Sequence, residues 1–417
     1  MRVLLFVETL TIGGLPNYVL DLCRALTEAG DEVALAHAGE TVPTHLELAG
    51  IALINVLTAQ CATPAAAMAS WRPDVIHVHL CSDHALLSAL SSLDVPMIRS
   101  FHDYTSLCLR RGRRRFPGDR CQRSLGRGCV AFGCSVGAPN LGSRLPGFKS
   151  ISLKLAERST YQRFDASVVG SVYMRTTLAK NGFSAANIHL VPYFSKFDQD
   201  ALETHCESSR PLVKPSAAQP LKFLFAGQAV TGKGLRVLVE ALAALDGHWH
   251  LTVVAEGPEL SAVRLLARRL NIAQRITFTG WVLQSELRSV YQNADLLVIP
   301  SVWDDPGPLV GLEALSMGTP VLGFAVGGIP DYAIDGHTGF LATSVSTQAL
   351  TDALRRALAG AAALASMGRN GQALIVERHS RSGHVDKIRA IYSDVCARRQ
   401  SRVHAPKPIQ ATLVKLI

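Results

Sequence analysis

The chain has 417 residues, a length at which two domains are more natural than one core. With 48% hydrophobic and 18% charged residues it is globular, and no apolar run is long enough to predict a membrane span. The net charge of +9 favours anionic partners, without choosing among nucleotides, lipid head groups and nucleic acid. The first residues, MRVLLFV, lack the cleavage site of a signal peptide, so we interpret them as a buried strand and expect a cytoplasmic protein.

Runs rich in valine, isoleucine and leucine alternate with helical patterns along the whole chain. The runs are continuously apolar, which is typical of parallel strands buried on both faces. They predict strands at residues 3–8, 32–38, 74–80, 96–101, 166–170, 221–227, 250–257, 275–280, 295–301 and 320–325. The helical patterns lie at residues 17–30, 234–245, 259–271, 285–294 and 309–318.

Residues 198–220 are polar, contain prolines and show no periodicity, so we interpret them as a linker. Strand and helix alternate on both sides of this segment, which predicts an α/β fold of two Rossmann-like, doubly wound domains. The predicted domains are residues 1–197 and 221–385, and residues 386–417 form a C-terminal helix and tail.

A glycine loop carrying a lysine follows the first predicted strand of the second half. Gly227, Gly232 and Lys233 fit the start of a Walker P-loop. Gly234 stands where that loop has a Ser or Thr whose hydroxyl binds Mg²⁺. The loop therefore belongs either to a P-loop NTPase that lacks this ligand or to another kind of phosphate site.

The most specific stretch is residues 295–341, in which a strand is followed by a loop and a helix. Pro308 suits the start of that helix and Gly318 its end, and a helix N-terminus favours a bound phosphate. Asp305 and Glu313 are separated by seven residues and can accept hydrogen bonds from vicinal sugar hydroxyls. Taken alone, an acid at Asp305 is more often an N-cap, and Glu313 is a helix charge or a salt-bridge partner.

This stretch resembles the nucleotide-sugar signature of retaining glycosyltransferases with the GT-B fold, glycosyltransferase family 4 in particular. That signature is an acid, seven residues, Glu, then G-x-P-V and a Gly-Gly turn, found here as Asp305, Glu313, residues 318–321 and Gly327–Gly328. The first acid is Asp where Glu is commoner. The resemblance implies two domains facing across a cleft and retaining transfer from a nucleoside-diphosphate sugar. It also implies that no metal is needed at the diphosphate.

The resemblance assigns expected roles to residues of the second half. Lys233 contacts the donor diphosphate, and Gln228 stands where the family usually has an arginine, which removes a cation. Asp305 contacts the transferred sugar and Glu313 the ribose, while residues 278–282 contact the base. The expected donor-binding residues here are Gly227, Gln228, Lys233, Glu256, Gly257, Pro308, Leu309 and Glu313.

The first half supplies the opposite wall of the expected cleft. Gly13 and Gly14 lie between a strand and a helix, where the backbone can approach a phosphate or an acceptor. His102 follows a predicted strand and is expected to face the sugar, and His79 has a similar position. Each of these histidines has a structural alternative. The expected catalytic residues are His102, Lys233, Asp305 and Glu313.

Four cysteines lie close together in sequence: Cys108, Cys121, Cys129 and Cys134. Their spacing lacks the C-x₂-C pairs of common zinc sites. A structural zinc ion, disulfides and reduced packing cysteines all remain open. We call residues 108–134 the cysteine loop and expect it to brace the acceptor side of the cleft.

The cysteine loop and residues 144–164 are basic with interleaved apolar residues. They predict either contact with an anionic membrane or an ordinary solvated surface. The expected acceptor is a saccharide or lipid-linked saccharide in envelope or exopolysaccharide synthesis. The alternatives are a GT-B epimerase or phosphorylase, a P-loop NTPase, and a zinc-stabilised nucleic-acid binder. The last lacks a recognition helix and interleaved aromatic residues, so we expect no nucleic-acid partner.

Overall fold

The structure is a computed structural model. It describes residues 1–10, 14–43, 46, 48–58, 61–114, 120–137, 147–199, 201, 219–283 and 286–404. Most of the predicted linker, the tail after residue 404 and Gly13 therefore lie outside the described residues. Within the described part of the chain, no helix is long and apolar enough to cross a membrane.

The first half forms a seven-stranded parallel sheet in the order β3-β2-β1-β4-β5-β8-β9. Its strands are β1 (Arg2–Val7), β2 (Glu32–His37), β3 (Ala52–Asn55), β4 (Val75–Leu80), β5 (Met97–Phe101), β8 (Ala166–Val169) and β9 (Ile188–Leu190). The sequence predicted the interior strands, because these are fully buried and continuously apolar. It missed β3 and β9, which are short edge strands.

The second half forms a six-stranded parallel sheet in the order β12-β11-β10-β13-β14-β15. Its strands are β10 (Leu221–Gln228), β11 (Trp249–Glu256), β12 (Ile276–Phe278), β13 (Leu296–Ile299), β14 (Val321–Phe324) and β15 (Gly339–Ala342). In both sheets the order of the strands reverses beside the first strand, β1 or β10, which opens a crevice at the carboxyl ends of the strands. The predicted α/β fold of two doubly wound domains is confirmed.

Helices cover the faces of both sheets, and Ser, Thr or Asp side chains cap several of them. Ser171, for example, accepts a hydrogen bond from the amide of Met174 at the start of α6. The helices are α1 (Gly14–Glu28), α2 (Pro64–Ser70), α3 (His84–Ser91), α4 (Gly128–Ala131), α5 (Ile151–Tyr161), α6 (Val172–Lys180), α7 (Leu235–Ala243), α8 (Leu260–Arg269), α9 (Leu287–Gln292), α10 (Leu309–Ser316), α11 (Thr347–Ala359), α12 (Leu364–Arg378) and α13 (Arg381–His404).

The last helix, α13, returns to the first domain and packs beside α1. Ile388, Tyr392 and Val395 on its inner face are buried. The Tyr392 hydroxyl lies 2.8 Å from His77 Nδ1 in the first sheet. The chain therefore closes one side of its first domain with its final described helix, so the two domains are joined at two places.

The described residues of the cysteine loop, 108–114 and 120–134, form a small layer outside the first sheet, followed by the antiparallel strands β6 (Val136–Gly137) and β7 (Gly147–Phe148), which we call the β6–β7 hairpin. Leu109, Leu125 and Cys134 are its buried centre, and Cys129 packs against them. This layer has a core of its own, which is separate from the large cores of the two sheets.

Candidate functional site

A cavity of about 570 Å³ lies between the two domains, at the carboxyl ends of both sheets. Nine of the residues predicted from the sequence line it: Gly14, His102, Gly227, Gln228, Lys233, Asp305, Pro308, Leu309 and Glu313. Glu256 and Gly257 are described but are not among the lining residues. Gly257 instead approaches the backbone of Ala229, where a β-carbon would lie 2.6 Å from the carbonyl oxygen, so it supports the glycine loop from behind.

The glycine loop has no room for the side chain that a Walker loop needs. Gly234 has a left-handed backbone with φ of 72°, and a β-carbon there would lie 1.8 Å from the carbonyl oxygen of Pro300. A β-carbon on Gly232 would lie 2.4 Å from the Trp303 ring. A Ser or Thr after Lys233 is therefore excluded by packing, and the Walker interpretation is wrong. Gly232 is also required by Trp303, rather than being a chance glycine.

Lys233 forms an ion pair with Asp305, which lies in the loop after β13. Its Nζ lies 2.5 Å from Oδ2 of Asp305, whose side chain is 8% exposed. The backbone of Asp305 is fixed by the Gly327–Gly328 turn, because the Gly328 amide donates to its carbonyl oxygen over 2.8 Å. The two residues thus form an ion pair at the cavity wall, and a ligand anion arriving there meets the ammonium group beside a carboxylate.

Glu313 is held by two residues that the sequence analysis did not single out. The Tyr291 hydroxyl donates to its Oε2 over 2.6 Å, and Lys196 Nζ lies 3.2 Å from its Oε1. Burial, and then the carboxylate of Glu313, raise the pKa of Tyr291, which keeps that hydroxyl protonated as a donor. No local sequence pattern pointed to Lys196, because the contact depends on which carboxylate the lysine meets in the fold.

The N-termini of two helices face each other across the cavity. Pro308 has the extended conformation of an N-cap, with φ of −66°, and α10 begins at Leu309 as predicted. A β-carbon on Gly14, the first residue of α1, would lie 3.8 Å from the Leu309 side chain. Partial positive charge from both helix ends is therefore directed at one region, which suits a phosphate group.

His102 lines the cavity, but both of its ring nitrogens already have partners. Nδ1 lies 3.0 Å from the Tyr193 hydroxyl, and Nε2 lies 3.0 Å from Nδ1 of His79. Burial, and then the positive charge of Arg99, lower the pKa of His102 well below its usual value, so the ring is neutral. His79 is also buried and does not line the cavity. His102 can therefore form a hydrogen bond with a ligand only if it first gives up its hydrogen bond to Tyr193 or to His79.

The cysteine loop is fastened to the second domain beside the cavity. Asp304 is buried and accepts hydrogen bonds from two residues of the first domain. Arg120 Nε donates over 2.9 Å, and the Tyr173 hydroxyl donates over 2.6 Å. Asp304 was not predicted as a site residue, because its partners lie far away in the chain.

The four cysteines do not form the zinc site that was one of the predicted alternatives. Among the described residues, which include all four, no group of three His, Cys, Asp or Glu side chains is placed to hold a metal ion. Burial is the main cause that raises the pKa of the Cys108 and Cys134 thiols. All four are free thiols, and Cys129 and Cys134 serve as packing residues of the small core.

Two family models match the chain, one in each half. "Glycosyltransferase Family 4" matches residues 12–194, and "Glycosyl transferases group 1" matches residues 212–374. The chain has the GT-B fold, and each of its halves resembles a glycosyltransferase family. It resembles glycosyltransferase family 4, as the sequence predicted.

Individual relatives agree with this placement. A D-inositol 3-phosphate glycosyltransferase of Corynebacterium glutamicum (strain R) is 37% identical over 139 residues, which are 31% of this chain and 33% of that protein. The aligned part thus spans about a third of that relative. Sucrose-phosphate synthase from Thermosynechococcus elongatus superposes with a TM-score of 0.69 at 20% identity, over 95% of this chain and 99% of its own. Anabaena HepE in complex with UDP-glucose superposes with a TM-score of 0.67 at 16% identity, over 96% and 100%. At these identities the two structures share the fold alone.

Proposed function

We propose that this protein transfers a sugar from a nucleoside-diphosphate sugar to an acceptor hydroxyl, with retention of anomeric configuration. The observation that carries the proposal is the convergence of Lys233, Asp305, Glu313 and two helix N-termini on one interdomain cavity. The uridine nucleotide in HepE supports UDP as the first donor nucleotide to test. The competing GT-B activities, epimerase and phosphorylase, use the same fold, so transfer has to be measured directly.

Several polar groups of the cavity have a role in this reaction. Lys233 and the N-terminus of α10 bind the diphosphate, and Asp305 binds hydroxyls of the transferred sugar. Glu313, oriented by Tyr291 and Lys196, accepts from the ribose hydroxyls. Gly14 and His102 face the reacting sugar from the acceptor side. No step needs a metal ion, because the ammonium group and the helix dipoles neutralise the diphosphate.

The bond changes balance within the two substrates. The bond from the anomeric carbon to the diphosphate oxygen breaks, and its electron pair stays on that oxygen. The acceptor oxygen forms the new bond to the anomeric carbon on the same face, and its proton passes to the departing diphosphate. Lys233 stabilises the charge that grows on the leaving oxygen. Closure of the domains excludes water, which would otherwise hydrolyse the donor.

The test is a thermal-shift panel of UDP, GDP, ADP and their sugar conjugates, with and without Mg²⁺, and with Mg-ATP for comparison. A ligand at a hundred times its Kd stabilises the native state by about 2.7 kcal/mol. We expect one nucleoside diphosphate to raise the melting temperature without metal, and Lys233→Ala and Glu313→Gln to abolish the shift. Lys222→Ala, an exposed lysine at the other end of β10, serves as the control.

Transfer itself is then measured with the sugar conjugate of the nucleotide that binds. The anomeric configuration of the product, read by NMR, shows retention or inversion. A product that is the epimerised donor, or a sugar phosphate formed only with inorganic phosphate, would replace transferase with one of the two alternatives. Stabilisation by Mg-ATP alone would contradict the proposal.

The proposed acceptor is a saccharide or a lipid-linked saccharide, met at the inner face of a membrane in the cytoplasm. What supports membrane contact is the surface of the β6–β7 hairpin. Phe148 is 82% exposed and pairs with Val136, which is 48% exposed. Lys149 follows directly, and Arg110 bonds the Val136 carbonyl over 3.1 Å. Exposed apolar side chains beside cations suit an anionic lipid surface.

A further inference from the structure

The cationic side chains that line the cavity differ in whether a carboxylate already neutralises them. Among the residues the structure describes, the lysines and arginines of the lining are Arg111, Lys196 and Lys233. Lys196 is paired with Glu313 and Lys233 with Asp305. The guanidinium of Arg111, in the cysteine loop of the first domain, makes no hydrogen bond or ion pair with a described residue, and the residue is exposed. It is thus the lining cation whose charge remains available.

Packing places Arg111 beside the glycine loop, although the two belong to different domains. A β-carbon on Gly112 would lie 3.4 Å from Cε3 of Trp303, and the same ring touches Gly232, the residue before Lys233. Trp303 therefore lies between the arginine segment and the phosphate loop. The neighbouring bond from Arg120 to Asp304 fastens the same segment to the second domain. The segment that contains Arg111 therefore packs against the second domain, and this packing positions Arg111 at the cavity.

The local backbone and charges suit an anion at this point. Arg111 has a left-handed backbone, with φ of 60°, which is uncommon outside glycine and asparagine. The surroundings are basic. Burial is the main cause that lowers the pKa of Lys149, and the positive charges of Arg111 and Arg110 lower it further. Gln228, on the opposite side of the cavity, carries no charge. A diphosphate that enters the cavity can thus contact Arg111, a cation of the first domain that no carboxylate of the described residues neutralises.

We propose that Arg111 binds the diphosphate of the nucleotide from across the cleft, so that the anion is held between Arg111 of the first domain and Lys233 of the second. This rests on the proposed function, because it deepens the same site. The guanidinium forks two N–H groups toward one phosphate, a geometry that a lysine lacks. The subsite is built only where the cysteine loop is docked on Trp303, so nucleotide binding stabilises the docked arrangement of the two domains.

The experiment compares the Kd of UDP, GDP and ADP, by calorimetry in the absence of any acceptor, for wild-type protein and four variants. Arg111→Gln removes the charge while it keeps a β-carbon at the left-handed position. Arg111→Lys keeps the charge without the fork. Arg127→Gln removes an exposed arginine of the same loop that does not line the cavity. Lys233→Ala reports on the proposed function itself.

We expect Arg111→Gln to raise the Kd of the nucleoside diphosphate about tenfold, the size of one lost charge-assisted hydrogen bond. The Kd should also become less sensitive to salt, because one ionic contact is gone. Arg111→Lys should lie between, and Arg127→Gln should match the wild type. Unchanged melting temperatures show that the variants are folded.

Equal Kd values for Arg111→Gln and the wild type would overturn the inference. If Arg111→Gln instead raises only the KM of a phosphate-bearing acceptor in the transfer reaction, Arg111 belongs to an acceptor subsite and the inference is also overturned. If Lys233→Ala weakens binding and Arg111→Gln does not, the proposed function stands and this inference fails. If the wild type binds none of the three nucleoside diphosphates, both fail.

Discussion

Gly234 and Gly336 share a left-handed backbone but differ in what surrounds them. Their φ angles are 72° and 73°. A β-carbon on Gly234 would overlap the carbonyl of Pro300, whereas nothing lies within 4 Å of one on Gly336. Comparison of the two glycines therefore separates the cost of a left-handed backbone, which both positions share, from the cost of the close contact with Pro300, which Gly234 alone of the two makes.

We expect Gly234→Ala to destabilise the protein more than Gly336→Ala does. Both substitutions pay for the left-handed backbone, at roughly 1–2 kcal/mol. Gly234→Ala also forces the loop away from Pro300, which should add about 2 kcal/mol and displace Lys233. Urea unfolding measures the two variants, and nucleotide binding checks the displacement. Equal decreases in the free energy of unfolding for the two variants would show that the loop relaxes away from Pro300 at little cost, and would contradict this prediction.

At the scale of single residues, the sequence predicted one lysine and two acids that line the cavity, but it did not predict which residues hold Glu313 in place. Lys233, Asp305 and Glu313 sit in a local pattern that the sequence shows directly. Tyr291 and Lys196 were missed, because each meets Glu313 only through packing of distant segments. Trp303 was missed for the same reason.

At the scale of elements, the β6–β7 hairpin carries the testable part of the membrane proposal. Phe148 projects from a short hairpin, and Lys149 and Arg110 provide cationic neighbours. Burial of one phenylalanine side chain in an apolar medium contributes about 1.5–3 kcal/mol, enough to change partitioning at least tenfold.

We expect wild-type protein to sediment with vesicles that contain phosphatidylglycerol and much less with pure phosphatidylcholine. Phe148→Ser should lower the bound fraction about tenfold, as estimated from that burial. Leu265→Ser, on α8 of the second domain and 48% exposed in the wild type, is the matched control and should have no effect. Equal losses in both variants, or no binding by the wild type, would contradict membrane contact through this hairpin.

The elements themselves were mostly predictable. Each predicted strand is present, because continuous valine, isoleucine and leucine runs fill buried positions in parallel sheets. The strands β3, β9 and β15 were missed, and all three are strands of three or four residues at sheet edges, too short for a clear pattern. The hairpin strands have two residues each, which is too short for any periodicity.

At the scale of the whole molecule, buried histidines lie where the C-terminal segment meets the first domain. His384 Nδ1 donates to the Pro192 carbonyl over 2.7 Å, and its Nε2 accepts from the Tyr18 hydroxyl over 2.8 Å. His379 Nδ1 donates to the Tyr193 carbonyl over 2.7 Å. Burial is the main cause that lowers the pKa of each of these two histidines from 6.5 to about 4, with Lys387 adding to it.

These shifts predict acid sensitivity between pH 6.5 and about 4. In that window the unfolded chain binds more protons than the native state, so the free energy of unfolding falls as the pH falls. Above pH 6.5 both states hold neutral rings, and this contribution is fully present. We expect urea midpoints to fall across the window.

His384→Gln should reduce the slope of that fall, by at most about 1.4 kcal/mol per pH unit. His84→Gln, at an exposed position on α3, should leave the slope as it is. An unchanged slope in His384→Gln would show that another group carries the acid sensitivity.

The sequence by itself determined the two α/β domains, the loops after β10 and β13 that carry Lys233 and Asp305, and the position of Glu313 within α10. Each is a pattern within one or two neighbouring elements, where periodicity and glycine positions follow directly from local geometry. Only the tertiary structure decided that Trp303 lies between Gly112 and Gly232, that Asp304 holds Arg120, and that the cysteines pack without a metal site among the described residues. Those contacts join residues far apart in the chain, and their distances depend on how whole domains pack, which no local pattern records.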